Sequence, residues 1–140
     1  MMKRLLFYLS FLVFIATNAQ TADEVVQEFF TALSDKDTET IGRLTLDNIQ
    51  LHSLMLADST MLTSTTKEKF ISGLKSIPAE VNIEERIFDI TSLQSDHLAQ
   101  FEVPYEFYVN GSLSHSGTNV LTLLKTENGW RISYVADTRN

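Results

Sequence analysis

The chain has 140 residues, 44% of them hydrophobic and 21% charged, which is enough for one globular core and too little for two. Eleven Lys and Arg against eighteen Asp and Glu leave a formal charge of −7, so nucleic acid is not an expected partner, because phosphate binding is driven by cationic side chains. The lack of cysteine excludes disulfides, thiolate nucleophiles, iron–sulfur clusters and cysteine-ligated zinc.

Residues 1–19 read as a secretory signal, with Lys3 and Arg4 before an apolar run from Leu5 to Ile15 and a small-x-small site at Thr17-Asn18-Ala19. That run is about half the roughly twenty residues a membrane-spanning helix needs. Cleavage after Ala19 would leave residues 20–140 as one domain, acting in a periplasm or outside the cell with no membrane contact.

Thr21 and Glu24 form a capping-box pattern, and Val25, Val26, Phe29, Phe30 and Leu33 follow at helical spacing, predicting an amphipathic helix to Ser34. Asp37 or Thr38 can cap a short second helix carrying Ile41 and Leu44, and Ile49 to Leu54 reads as a strand. Thr65 and Glu68 make a second capping box for a third helix carrying Phe70, Ile71, Leu74 and Ile77, which Pro78 stops. Four strand-like runs follow: Val81 to Leu93, Leu98 to Val109, Leu113 to Lys125 and Trp130 to Asp137. Helices first and an antiparallel meander second predict an α+β domain, three helices on one face of a sheet.

Asn110-Gly111 suits a two-residue type I′ hairpin loop, which pairs Val109 with Ser112 and sets the register by counting. One face then collects Phe101, Val103, Tyr105, Phe107 and Val109 opposite Ser112, Ser114, Ser116 and Thr118. The other collects Glu102, Glu106 and Tyr108 opposite Asn119, His115 and Leu113, continued by Leu121, Leu123, Trp130, Ile132 and Tyr134. An apolar floor with polar groups at one end is what a small-molecule cavity needs.

Three helices, a long sheet and a last strand opening Asn128-Gly129-Trp130-Arg131-Ile132 resemble the nuclear transport factor 2-like (NTF2-like) superfamily across nearly the whole chain after the signal. Pro104-Tyr105-Glu106-Phe107-Tyr108, Asn110-Gly111, His115-Ser116-Gly117 and Asp137-Thr138-Arg139 are similar to secreted bacterial members of SnoaL-like or lumazine-binding type. The resemblance implies a cone with a cavity between sheet and helices, and a dimer through the outer sheet face. Ketosteroid-isomerase-like members need a hydroxyl donor on the first helix and a carboxylate base on the first strand. Phe29 and Ser53 fall near those positions and can do neither job; His52, beside Ser53, is a substitute base if the strand turns it inward.

Candidate ligand-binding residues are therefore His52, Glu102, Glu106, Tyr108, His115, Asn119, Trp130 and Tyr134. His115 and Glu106 read either as an acid–base pair or as an ion pair that only satisfies two polar groups. Trp130 offers a flat apolar wall but reads first as core. His97 beside Asp96, and Asp137-Thr138-Arg139, read as surface features, with Arg139 able to reach the rim. His52, His97 and His115 lack metal-ligand spacing, and the five glycines form no phosphate loop, so neither metal nor nucleotide cofactor is expected. Three functions follow: a binder of a small, mainly apolar molecule; an isomerase or hydratase using His115 and Glu106; or an interaction module whose outer sheet face pairs with itself or with another domain, the cavity being vestigial. Independently of these, the apolar row Phe101 to Val109 opposite small residues predicts a homodimer through the outer sheet face.

Overall fold

The computed structural model describes residues 19–57 and 59–140. The secretory-signal reading thus falls almost wholly on residues outside the described ones. Among the described residues no helix is long and apolar enough to cross a membrane. The elements are α1 (Ala22–Ser34), α2 (Thr38–Leu44), β1 (Thr45–Met55), β2 (Met61–Thr65), α3 (Lys67–Lys75), β3 (Ile83–Ile87), β4 (Thr91–Gln94), β5 (Leu98–Val109), β6 (Ser112–Thr126) and β7 (Gly129–Arg139).

Local chemistry explains the helices. The Thr21 hydroxyl accepts from the Glu24 N–H, and the Glu24 carboxylate accepts from the Thr21 N–H, which closes the expected capping box. Asp37 caps α2 by accepting from the Thr40 N–H. In α3 the cap is Thr66, not Thr65: its hydroxyl accepts from the Lys69 N–H. All three helices pack on one side of the sheet, where Val25, Val26, Phe29 and Phe30 of α1 and Ile41 and Leu44 of α2 are buried against Phe101, Leu121, Leu123 and Ile132.

The sheet runs β2-β1-β7-β6-β5-β3, with β4 also pairing β5. It is mixed rather than purely antiparallel, because β1 lies parallel to β7. The segment Val81 to Leu93 is two strands, broken at Asp89, whose φ of 38° turns the chain out of extended geometry. Met61–Thr65, an unexpected strand, extends the other edge beside β1.

The Asn110-Gly111 loop forms as expected, with φ of 48° and 79° and Val109 opposite Ser112. Three residues later the register departs from simple counting. Tyr108 faces Leu113 but Phe107 faces His115, so Ser114 is an extra residue, a β-bulge. A second bulge at Ser133 lies in β7, where Ile132 faces Leu123 and Tyr134 faces Thr122. Because side chains alternate with period two, each bulge moves every later residue of its strand to the other face.

The row Phe101, Val103 and Tyr105 is consequently interior, with no more than 4% of any of the three exposed. The homodimer surface expected from that row is the core of the protomer. The Ser114 bulge sets Phe107 opposite His115 and Tyr105 opposite Gly117, which puts this row on the same face as Asn119 and Leu121.

Candidate functional site

Between α1, α3 and the inner face of the sheet lies a cavity of about 500 Å³. Phe29, Phe30 and Leu33 of α1, Phe70 and Leu74 of α3 and Phe107 of β5 supply its apolar walls. Four strands bring polar side chains to one region: Glu85 from β3, Tyr105 from β5, His115 and Asn119 from β6, and Asp137 and Arg139 from β7.

These groups form two linked sets. The Asn119 amide donates to the Glu85 carboxylate at 2.8 Å, and Asn119 is only 5% exposed. The Tyr105 hydroxyl reaches both Asp137 Oδ2, at 3.1 Å, and the Thr138 carbonyl, at 2.9 Å, while Arg139 Nε donates to the same Asp137 oxygen at 2.8 Å. His115 is stacked on Phe107, with ring centroids 4.9 Å apart, and meets the edge of Tyr105.

Burial sets the protonation states. It pushes the Glu85 carboxyl up to about 7, against the hydrogen bond from Asn119, and nearby Asp137 adds to the rise. Tyr105 is driven well above the usual phenol range by burial first and then by Asp137. His115 is held below the ordinary imidazole value by burial and by Arg139, with Asp137 opposing both.

Gly117 lets β7 close over the cavity. A Cβ there would collide with the Thr138 carbonyl, the same group that Tyr105 hydrogen-bonds. The missing side chain is what lets the end of β7 bring Asp137 and Arg139 inward.

The expected site residues separate into two faces. His115 and Asn119 lie at the cavity, whereas Glu106 faces Ser116 and Arg86 across the strands and is turned away from His115, so the His115–Glu106 pair does not form. Glu102, opposite Val120, lies on the outer face. So does Tyr108, which donates to Glu106 at 2.7 Å and carries the Arg86 guanidinium 4.0 Å above its ring. Tyr134 is also outside, put there by the Ser133 bulge. His52 is among the residues that line the cavity, though its ring turns to Tyr134, at 5.6 Å, and to the Ser64 hydroxyl, at 2.7 Å; neighbouring Ser53, which pairs with Asp137, lines it too. Trp130 is core. His97 is exposed; Asp137 is a cavity group rather than a surface one, and Arg139, exposed at its side chain, reaches the cavity rim as expected.

Sequence reasoning missed Glu85, Tyr105 and Asp137. For Glu85 a signal existed: Ile83, Glu85 and Ile87 alternate, placing a carboxylate on the apolar side of a strand. Among the described residues no group of three or more His, Asp and Glu side chains converges as a metal site requires.

A family of unknown function, DUF4829, matches residues 23–135, all the elements up to the middle of β7. The chain belongs to this family. No curated protein matches it. Among solved structures, the DUF4829 chain is similar to an NTF2-like protein from Cytophaga hutchinsonii, at 15% identity and a TM-score of 0.67, covering 86% of this chain and all of the other. It is also similar to an NTF2-like protein of unknown function from Silicibacter pomeroyi, at 17% identity and a TM-score of 0.59, over 84% of this chain and 92% of that one. A third likeness is to an NTF2-like protein from Streptomyces avermitilis whose name suggests a dehydratase, at 15% identity and a TM-score of 0.63, over 83% and 91%. At these identities the likeness establishes the fold: the DUF4829 chain is an NTF2-like α+β cone, in agreement with the superfamily read from its sequence.

Proposed function

We propose that this chain is an exported protein that binds a small, mainly apolar molecule. The ligand's body lies among the phenylalanines of α1, α3 and β5, and its polar end meets Glu85, Asn119, Tyr105 and Asp137. The carrying observation is the cavity itself, whose volume of about 500 Å³ falls within the range of small-molecule sites, with apolar walls and polar groups gathered in one region. Export rests on the signal-like pattern read in residues 1–19. The test is native mass spectrometry of the mature protein purified gently from its own host. Wild type should carry an added mass that Gly73→Trp loses, since Gly73 lines the cavity with open space around its Cβ position. A bare mass in wild type, or an adduct that survives in Gly73→Trp, overturns the reading.

A second reading is proton-transfer chemistry of isomerase or hydratase type, with Glu85 in place of Glu106. It is favoured by a carboxyl held near 7, which can both give and take a proton at neutral pH. If the retained molecule gains deuterium from D2O on wild type but not on Glu85→Gln, the protein does chemistry. If it gains none on either, binding is the whole activity.

A further inference from the structure

Resting on the binding reading above, we propose that the molecule taken by this cavity is an organic cation, an apolar amine or quaternary ammonium compound whose positive head sits between Glu85 and Asp137 beside the rings of Tyr105 and Phe107. The two carboxylates are the inner charges of the site. Among the described residues, the side-chain donor to Glu85 is a single neutral amide, from Asn119, so this buried carboxylate has no cationic partner of its own. Buried charges are ordinarily paired, and a cation from outside would complete the pair.

Protein cations do not take that role. Arg139 donates to Asp137 and is 44% exposed at its side chain, whereas Asp137 is 14% exposed. Lys69 lines the mouth from α3 and is exposed. His115 is kept mostly neutral by burial. Lining the cavity with Glu85 are Tyr105 on β5, His115 on β6, Asp137 and Arg139 on β7 and His52 on β1, while α1 brings Phe29, Phe30 and Leu33, and its Ser34 hydroxyl accepts from the Glu85 N–H at 3.0 Å.

An anionic ligand would press against two carboxylates. A neutral one would leave Glu85 unpaired. A cation gains from both carboxylates and from the aromatic faces, whose quadrupoles attract positive charge. Its arrival also favours ionised Glu85, so binding releases a proton near neutral pH.

Titration calorimetry on the mature protein tests this with three probes of similar body: 3-phenylpropyltrimethylammonium, 3-phenylpropanol and 4-phenylbutanoate. The ammonium compound cannot titrate, so any pH dependence belongs to the protein. At pH 8 it should bind about tenfold tighter than the alcohol. Its affinity should fall about tenfold at pH 6, where Glu85 is largely protonated. Glu85→Gln should abolish both the preference and the pH dependence while alcohol binding persists, which shows that the cavity is intact. Equal or tighter binding of alcohol or carboxylate at pH 8, or a preference that survives in Glu85→Gln, overturns the cation assignment and leaves the cavity reading standing. If none of the three binds, both readings fall.

Discussion

Glu84 and Glu85 are neighbours on β3, yet their carboxyls are driven in opposite directions. Glu84 points to the outer face, where Arg86 holds it at 2.9 Å and lowers its pKa. Glu85 points inward, where burial raises it to about 7. Tyr108 and Tyr105, three residues apart on β5, repeat the contrast. The outer Tyr108 joins Glu106 and Arg86 in a solvated network, and the inner Tyr105 ties the end of β7 to the sheet. The same residue types stand at these positions on the two faces, but Glu85 and Tyr105 are shifted upward by burial, whereas Glu84 and Tyr108 are governed by their hydrogen-bond partners. A charged group costs little where water and a counter-ion share it, and becomes a binding or acid–base element where neither does.

The largest break in this contrast should come from Gly117→Ala. The added methyl meets the Thr138 carbonyl, so β7 must move, at a cost of about 3 kcal/mol or more. Urea denaturation should show the loss, and NMR should show the Tyr105 and Asp137 signals shifting together. A variant as stable as wild type would mean that β7 does not close over Gly117.

Next in size is the pair Glu85→Gln and Glu84→Gln. A folded-state pKa raised from 4.5 to about 7 means that the Glu85 contribution is fully present below pH 4.5 and is lost as pH rises through 7, a swing of about 3 kcal/mol. Urea melts should therefore find Glu85→Gln close to wild type at pH 4.5 and more stable at pH 8.5. Glu84→Gln should lack any such gain at high pH. Identical behaviour of the two variants would erase the distinction between the faces.

Tyr105→Phe should cost about 1 kcal/mol by removing a hydroxyl shared between Asp137 and the Thr138 carbonyl. Tyr108→Phe should leave the melting temperature where it is, since its hydroxyl bond is on the solvated side. The reverse order in thermal melts would put the tightly held network outside.

The smallest effect concerns His115. Asp137→Asn should lower its NMR titration midpoint further, because Asp137 is the group that raises it, whereas Glu106→Gln should not move it. A midpoint that follows Glu106 would restore the cross-strand pair that the register rules out.

Most of the local structure was legible because it depends on residues close in sequence. Thr21 with Glu24, Asp37 at the start of α2, and Asn110-Gly111 act over two to four residues, and each forms as its chemistry requires. The site was only half legible for one reason. His115 and Asn119 were rightly grouped with Leu121 and Leu123, but their partners on β5 were assigned across an unbulged ladder. One extra residue, Ser114, replaced Glu106 and Tyr108 with Tyr105 and Phe107. The bulge at Ser133 did the same to Tyr134 in favour of Asp137. Serine carries no strong bulge signature, and its hydroxyl finds a local partner after the fact, as Ser133 does on the Thr122 carbonyl at 3.0 Å.

The sequence by itself determined the α+β class, the caps of α1 and α2, the hairpin turn and the extents of β5, β6 and β7 to within two residues, since these follow from short-range periodicity and capping. The tertiary structure alone decided which side chains share the cavity. A face assignment depends on the parity of a long ladder, and one bulge reverses it. It also decided that Gly117 admits the Thr138 carbonyl, and that Glu85 rather than Glu84 is the carboxylate left without a cation.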